Sequence, residues 1–253
     1  MRDPRSILIT GASSGIGAAL ALAYAAPGRH LAMTGRNERR LADLGDAART
    51  AGATVDARPI DVRDSKAMRD WIAAVDRDRP LDLVVANAAV SAGMPGGRID
   101  DDAVRDLLAI NIDGVLNTLH PAIDAMRPRR HGQLAIVSSL AGFRGLPTAP
   151  AYAASKAAVR VYGEALRPLL AADGLALSVI CPGFVDSRMT AGNRFPMPFK
   201  MSADRAARII RRDLERNRAR IAFPWPMAAL VWLLAALPPG LTDLAIRRMP
   251  EKA

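Results

Sequence analysis

The chain has 253 residues, half of them hydrophobic, with 35 basic and 25 acidic side chains and a formal net charge of +10. This composition excludes an intrinsically disordered chain. The single cysteine excludes a disulfide framework. Because the three histidines are scattered, there is no cluster of zinc ligands and no metal site is predicted. The excess of basic residues suits a nucleic-acid partner, an anionic membrane surface or an acidic substrate; the alternative is a set of solvated arginines. Proteins that bind single strands alternate aromatic and basic residues, and this chain does not, so no nucleic-acid partner is predicted.

The start of the chain and its thiol content bear on location. Residues 1–10 lack the long apolar core and the small-residue cleavage site of a secretory signal. A reducing compartment also suits the lone Cys181. We therefore expect a cytoplasmic protein, or one that works at the inner membrane surface.

Short apolar runs alternate with longer helical stretches along the chain. Strands are predicted at 6–10, 30–34, 54–58, 82–86, 133–138 and 175–181, and helices at 15–26, 37–51, 64–78, 101–126 and 151–172. The apolar runs are continuous rather than alternating, which indicates strands buried on both faces of a parallel sheet. We expect one α/β domain over residues 1–253, a doubly wound parallel sheet in three layers, with a helical C-terminal extension from about residue 184.

A glycine-rich turn, TGASSGIG, follows the first predicted strand at residues 10–17. Glycine permits a tight turn and the close approach of a pyrophosphate, and the free N–H groups of the next helix would stabilise that anion. The spacing is not the common G-x-G-x-x-G, and any strand-to-helix turn can require glycine, but the placement after the first strand favours a dinucleotide site. The cofactor contacts expected there are Gly11, Ser13, Ser14, Gly15, Ile16 and Gly17.

The second predicted strand leads into Arg36, with Arg39 and Arg40 one turn further on. An acidic residue at this place would bind a free ribose 2′-hydroxyl, whereas an arginine accommodates a 2′-phosphate. The sequence therefore favours NADP(H) over NAD(H). The alternative is three solvated arginines at the start of a helix.

A tyrosine and a lysine stand four residues apart on the helix predicted over 151–172. Tyr152 and Lys156 would share one helix face, and a nearby ammonium would lower the pKa of the phenol. Such a tyrosine can exchange a proton with a carbonyl or alcohol oxygen near neutral pH. The pair alone is common on helix surfaces; Ser138 and Ser139 add weight because they follow the fifth predicted strand, and parallel-sheet enzymes place their chemistry at that edge.

Taken together, the sequence resembles the short-chain dehydrogenase/reductase family over about residues 5–190. The motifs that carry the resemblance, in the family's order, are residues 10–17, Asp61-Val62, Asn87-Ala88-Ala89, Asn111, Ser139, Tyr152 with Lys156, and Pro182-Gly183. The resemblance implies a Rossmann-like fold, hydride transfer between NADP(H) and a carbonyl or alcohol of a small-molecule substrate, and a homo-oligomer. Ala89 departs from the family's usual glycine, which leaves the local loop geometry open.

The resemblance also implies a role for each matching residue. Tyr152 would be the acid/base, Lys156 would lower its pKa and hold the nicotinamide ribose, and Ser139 would bind the substrate oxygen. Asn111 would support a proton-relaying water; its amide could also satisfy backbone groups in a helix, and the family permits both roles together. The remaining cofactor contacts would come from Asp61, Val62, Asn87, Ala88, Pro182, Gly183 and Ser187.

The chain changes character after Pro182. In the resembled family a loop here covers the substrate, so the apolar side chains of 184–201 predict an apolar or lipid-like substrate, unless they only pack the loop on the core. Those side chains are Phe184, Met189, Phe195, Met197, Phe199 and Met201. A helix is predicted over 203–217. The eleven apolar residues of 227–237 are too few to span a bilayer, so they predict either an anchor on an anionic membrane surface or a helix buried against the core or a partner subunit.

Three functions compete at this stage. The leading hypothesis is an NADPH-dependent reductase of a carbonyl, or the reverse oxidation, for which a 3-oxoacyl group on an acidic carrier protein is one candidate substrate. The second is a cofactor-sensing protein without turnover, which has no need of Ser139, Tyr152 and Lys156. The third is a structural protein of the membrane surface, which leaves the glycine-rich turn unexplained.

Overall fold

The computed structural model describes residues 3–91, 100–193, 196–238 and 240–242. Within them, seven strands form one parallel sheet in the order β3-β2-β1-β4-β5-β6-β7. The strands are β1 (Ser6–Thr10), β2 (His30–Thr34), β3 (Thr54–Arg58), β4 (Leu83–Ala86), β5 (Gln133–Val137), β6 (Ala176–Pro182) and β7 (Arg220–Phe223). The strand order reverses between β1 and β4, so a crevice opens at the carboxyl ends of these two strands, where doubly wound sheets bind ligands.

Helices cover both faces of the sheet and complete three layers. They are α1 (Gly15–Tyr24), α2 (Glu38–Thr50), α3 (Ser65–Asp78), α4 (Asp101–Leu108), α5 (Gly114–Met126), α6 (Pro150–Ala172), α7 (Arg188–Ala191), α8 (Ala203–Glu215) and α9 (Trp225–Ala236). Successive strand residues point to opposite faces: Ile7 and Ile9 pack with α1, α2 and α8, while Leu8 packs with α3, α5 and α6. The predicted fold class is confirmed.

The structure corrects the predicted elements in two places. β7 was absent from the prediction because its four residues, RIAF, begin with an exposed arginine and form a short edge strand. The helix predicted over 101–126 is interrupted by a π-helical turn at Ala109–Asp113, which separates α4 from α5. Such turns widen the helical hydrogen-bond ladder and are frequent at functional sites. In this case the turn carries the buried Asn111.

Two further findings concern the C-terminal part. α9 begins at Trp225, two residues before the predicted apolar run, and ends at Ala236. No helix among the described residues is long and apolar enough to cross a membrane.

His30, the first residue of β2, makes the fold sensitive to acid. Its ring is buried, its Nδ1 has no hydrogen-bond partner among the described residues, and burial, with Arg79 nearby, lowers its pKa below 6.5. Above pH 6.5 the ring is neutral in the folded and the unfolded chain. As the pH falls below 6.5 the unfolded chain binds the proton first, so the free energy of unfolding decreases by up to about 1.4 kcal/mol per pH unit.

We expect His30→Gln to flatten this slope between pH 6.5 and 5.5 in urea unfolding. His131→Gln is the matched control, because that ring is largely exposed and pairs with Asp82 at 3.5 Å. Equal slopes for the native chain and the His30 variant would show that the buried ring does not set the acid sensitivity.

Candidate active site

A cavity of about 1010 Å³ lies at the carboxyl edge of the sheet. Sixteen of the predicted site residues line it, namely Gly11, Ser13, Ser14, Gly15, Ile16, Arg36, Asp61, Val62, Asn87, Ala88, Ser139, Tyr152, Lys156, Pro182, Gly183 and Ser187. Gly17 and Asn111 do not line it. One end of the cavity is therefore built from the motifs predicted to hold a dinucleotide, and its middle carries the tyrosine, the lysine and the serine.

The glycine-rich turn forms a close-fitting cradle at the start of α1. Gly11 has a φ of +66°, and a Cβ there would lie 2.6 Å from the Cα of Ala88. A Cβ on Gly17 would lie 2.5 Å from the Nδ2 of Asn87, so this buried glycine lets α1 approach the turn rather than facing the cavity. Ser14 is the N-cap residue of α1 and makes no side-chain cap hydrogen bond, so its hydroxyl does not satisfy the first N–H groups of the helix, which begins at the cavity wall. This cradle fits a pyrophosphate.

Asn87 holds the cradle in place from the neighbouring strand. Its Nδ2 donates hydrogen bonds to the carbonyl oxygens of Thr10 at 2.9 Å and Gly11 at 3.1 Å. The hydroxyl of Thr10 in turn accepts from the backbone N–H groups of Asn87 and Ala88. The ends of β1 and β4 are thus locked together at the crevice of the sheet.

The arginines after β2 differ in their placement. Arg36 is exposed and lines the cavity, and Arg40 lines it as well, with a buried Nε that has no hydrogen-bond partner among the described residues. Arg39 is exposed and does not line the cavity. Asn37 orients this helix start, because its side chain accepts from the backbone N–H of Arg40 at 2.9 Å. Two arginines that line the same part of a cavity fit an anionic ligand group such as a 2′-phosphate.

Asp61, after β3, is held by a residue that sequence reasoning did not select. Arg63 pairs with its carboxylate at 2.7 Å and also reaches Asp106 at 3.1 Å. The hydrogen bond from Arg63 holds the pKa of Asp61 below its usual value. The carboxylate is therefore ionised and oriented at the cavity wall beside Val62.

The tyrosine, lysine and serine predicted for catalysis meet in the middle of the cavity. The hydroxyls of Ser139 and Tyr152 are hydrogen-bonded to each other, and Lys156 places its Nζ 5.8 Å from the centre of the Tyr152 ring. The same Nζ donates to the carbonyl oxygen of Val137 at 2.9 Å. Ser138 has a different task, because its hydroxyl donates to the carbonyl oxygen of Lys156 at 2.7 Å and fixes α6 to β5.

The electrostatics of this cluster correct one prediction. Burial raises the pKa of Tyr152 above 10.0, and only the hydrogen bond with Ser139 acts in the opposite direction. Burial also lowers the pKa of Lys156 to about 8. The pKa of Tyr152 is therefore raised, whereas the sequence predicted a lowered pKa, because the removal of water from the buried phenol is the largest effect on it.

Asn111 satisfies backbone groups, which is one of the two compatible roles predicted for it. Its Oδ1 accepts from the backbone N–H of Val90 at 2.8 Å, and its Nδ2 donates to the Val90 carbonyl at 2.9 Å and to Ser155 at 3.0 Å. These bonds tie the π-helical turn to the loop after β4. The proton-relaying water remains a prediction.

The far end of the cavity is apolar, but its wall differs from the predicted one. Of the loop residues expected to cover a substrate, Phe184 and Met189 line the cavity, whereas Met201 is buried in the core and Phe199 is exposed. Met197 does not line the cavity, and Phe195 lies outside the described residues. Sequence reasoning missed the contribution of α9, whose Met227, Leu230, Val231 and Leu234 complete the apolar wall.

The family assignment follows from sequence comparison. The sequence model of the family named short chain dehydrogenase matches residues 5–196. The chain belongs to the short-chain dehydrogenase/reductase family. The predicted resemblance is thus confirmed, and the protein is an oxidoreductase of this family. An oxidoreductase of Myxococcus xanthus is 41% identical over 246 residues, which cover 97% of each chain.

Solved structures place the fold among dehydrogenases with either nucleotide. A short-chain dehydrogenase/reductase of Burkholderia phymatum in complex with NAD aligns with a TM-score of 0.84 at 23% identity, over 100% of this chain and 98% of that one. A short-chain dehydrogenase of Sphingobium yanoikuyae in complex with NADPH aligns with a TM-score of 0.80 at 23% identity, over 97% and 96% of the two chains. At this identity the likeness concerns the fold.

Proposed function

We propose that the protein transfers a hydride between NADP(H) and the carbonyl or alcohol carbon of an apolar substrate. The observation that carries this proposal is one continuous cavity. It has the pyrophosphate cradle at one end, an apolar wall at the other, and the hydroxyls of Ser139 and Tyr152 between them. Lys156 lies beside the tyrosine and is buried.

The residues of the chain divide the chemistry of reduction between them. The bound nicotinamide supplies the hydride. Ser139 and Tyr152 hold the substrate oxygen with their paired hydroxyls, so charge that develops on that oxygen meets two donors. Because its pKa is raised, Tyr152 is protonated at neutral pH and can donate its proton when negative charge develops on the substrate oxygen. The proton then passes to the oxygen, and an alcohol results.

Lys156 would then restore the charge balance around the tyrosine. With a pKa near 8 it is mostly protonated at neutral pH and already donates to the Val137 carbonyl. We expect its ammonium, 5.8 Å from the centre of the tyrosine ring, to stabilise the phenolate that remains after proton transfer and so to offset part of the effect of burial on the phenol. The pair thus favours a step in which Tyr152 acts as an acid.

The preference for NADP(H) rests on Arg36 and Arg40. We expect Arg40→Ala to weaken NADPH binding by about 10- to 100-fold, since a charge-assisted hydrogen bond contributes roughly 1.5–3 kcal/mol. NADH binding should change little, because that nucleotide lacks the 2′-phosphate. Fluorescence titration of both nucleotides measures the two dissociation constants.

Arg39→Ala is the matched control for this prediction. It removes the same charge from the same turn of α2 without altering the cavity wall. Equal loss of NADPH affinity in both variants would show that the effect comes from the net positive charge of α2 and not from a contact of Arg40. Tighter binding of NADH than of NADPH by the native chain would overturn the proposed preference for NADP(H).

The proposal also covers the setting in which the protein works. We place it in the cytoplasm as a single-domain homo-oligomer. Cys181 is buried as a free thiol, which suits a reducing compartment, and Val161 and Leu169 on α6 expose large apolar surfaces that a subunit contact would cover. Light scattering at two protein concentrations measures the subunit number.

A substrate screen tests the proposed reaction. NADPH and NADH are offered side by side with apolar ketones, acyl-carrier conjugates and sugars, and loss of absorbance at the reduced nicotinamide is recorded. We expect turnover of apolar ketones with NADPH. Tight NADPH binding without turnover of any carbonyl would instead identify a cofactor-sensing protein.

A further inference from the structure

α9 is apolar on every side, although only one side faces the protein. The sequence from residue 221 to 242 contains no charged side chain, and no residue of α9 is buried. Met227, Leu230, Val231 and Leu234 have the i, i+3, i+4, i+7 spacing of one helix face and line the cavity. We refer to these four residues as the inner stripe.

The opposite side of α9 forms a second apolar face that is open to solvent. It consists of Trp225, Ala229, Trp232, Leu233 and Ala236, which we refer to as the outer stripe. Trp225 is 78% exposed, Trp232 66% and Leu233 61%. Leu237 and Leu241 extend the exposed apolar surface beyond the helix. Soluble proteins rarely leave a contiguous surface of this kind uncovered.

The cavity opens beside this surface, and its rim is cationic. Leu230 belongs to the inner stripe and is also half exposed, so the mouth lies at the edge of the exposed face. Arg188 is exposed at the rim and forms no ion pair within the described residues. Arg144 also lines the cavity and donates to the hydroxyl of Thr242 at 2.8 Å. An anionic surface complements this combination of apolar helix and arginines.

We propose that the outer stripe of α9 lies in the headgroup region of an anionic lipid membrane and that the inner stripe guides an apolar substrate from the lipid into the cavity. α9 has 12 residues, about 18 Å, and therefore lies on a bilayer core of about 30 Å rather than spanning it. The lipid docking stands on the exposed face alone, and the passage of substrate rests on the proposed function.

The geometry favours lipid over a second copy of the chain. Interfaces between proteins carry about ten hydrogen bonds, but the outer stripe offers only two indole N–H groups as side-chain donors. Tryptophan, with an apolar ring and one polar N–H, is the residue that membrane interfaces select. A rigid copy seated on this face would also cover the mouth at Leu230, whereas a fluid bilayer would leave it accessible.

The three tryptophans make the docking directly measurable. Trp71 is 2% exposed, so a change of environment on binding comes from Trp225 and Trp232. The full chain is mixed with vesicles of phosphatidylglycerol and phosphatidylcholine, or of phosphatidylcholine alone. We expect sedimentation with the anionic vesicles, a blue shift of the tryptophan emission, and quenching by lipids brominated on their acyl chains.

The variant that tests the surface is Trp232→Ser with Leu233→Ser. We expect its partitioning onto anionic vesicles to be weaker by roughly tenfold or more, because two buried apolar side chains are lost. Leu22→Ser on α1 is the control, because Leu22 is 45% exposed and belongs neither to α9 nor to the cavity wall. Both variants should reduce a water-soluble ketone as the native chain does.

Three outcomes would overturn the proposal. In the first, the chain remains in solution with anionic vesicles and its tryptophan emission does not shift. In the second, the control variant loses as much partitioning as the Trp232/Leu233 variant. In the third, the emission is already blue-shifted without lipid and reverts on dilution as the mass falls to that of a monomer, which would assign the outer stripe to a second copy of the chain. Turnover of the soluble ketone separates the two claims. Lost lipid binding with retained turnover refutes the docking alone, and absent turnover with intact binding refutes the proposed reaction alone.

Discussion

Replacing Tyr152 by phenylalanine should abolish carbonyl reduction while leaving NADPH binding intact. The substitution removes one hydroxyl from the middle of the cavity, and with it the proton donor and one of the two partners of the substrate oxygen. General acid catalysis contributes about 10²- to 10⁴-fold, so we expect kcat to fall by at least about 10³-fold. The dissociation constant of NADPH should stay within about twofold, because the pyrophosphate cradle and the arginines are untouched.

Tyr162→Phe is the control for this variant. Tyr162 lies on the same helix, its hydroxyl is 2.8 Å from the Nε2 of His120, and it does not line the cavity. Steady-state kinetics and nucleotide titration of both variants give the comparison. Turnover by the Tyr152 variant within tenfold of the native chain would remove the tyrosine from the mechanism.

Gly11→Ala should disable the nucleotide cradle. Any residue with a Cβ pays about 1–2 kcal/mol to adopt the positive φ of Gly11, and here the new Cβ would also lie 2.6 Å from the Cα of Ala88. The clash is with backbone, so the loop after β4 must move. That movement breaks the hydrogen bonds from Asn87 to Thr10 and Gly11. We expect NADPH affinity to fall by at least about 100-fold.

Gly28→Ala separates strain from the clash. Gly28 has a φ of +78°, but no atom lies within 4 Å of a Cβ built there. This variant should lose about 1–2 kcal/mol of stability in urea unfolding and keep its nucleotide affinity. If both variants bind NADPH equally well, the close approach of the turn to β4 has no part in holding the cofactor.

The central strands were predictable because burial on both faces leaves a simple pattern. β1, β2 and β3 have the predicted bounds, β4 and β5 differ by one residue at one end, and β6 differs by one residue at each end. β7 escaped because an edge strand of four residues needs few apolar side chains. The π-helical turn escaped because the hydrophobic periodicity of 101–126 does not distinguish one continuous helix from two joined by five residues of wider turn.

The candidate site was predictable as a set of positions but not as a set of energies. Spacing places Tyr152 and Lys156 on one face of α6, and the structure confirms that both line one cavity with Ser139. The pKa of the tyrosine depends on how much water the surrounding chain removes, which spacing does not contain. The pairing of Arg63 with Asp61 likewise depends on a side chain folding back over two residues.

The two features that carry the new proposals arise from tertiary placement. Arg39 and Arg40 are neighbours in sequence, yet only Arg40 lines the cavity, because successive residues point in different directions around a helix. The apolar sequence of α9 is compatible either with a buried helix or with a helix exposed on the surface of the protein. Only the position of the helix beside the cavity mouth shows that one face is covered and the other is not.

The most direct test of hydride transfer follows the atom itself. NADPH deuterated at both C4 positions of the nicotinamide is incubated with the native chain and an apolar ketone, and the product is analysed by mass spectrometry. We predict one deuterium on the carbinol carbon of each alcohol formed and one NADP⁺ for each alcohol. An alcohol without deuterium, or bound NADPH that reduces none of the apolar ketones, would contradict the reaction proposed for this cavity.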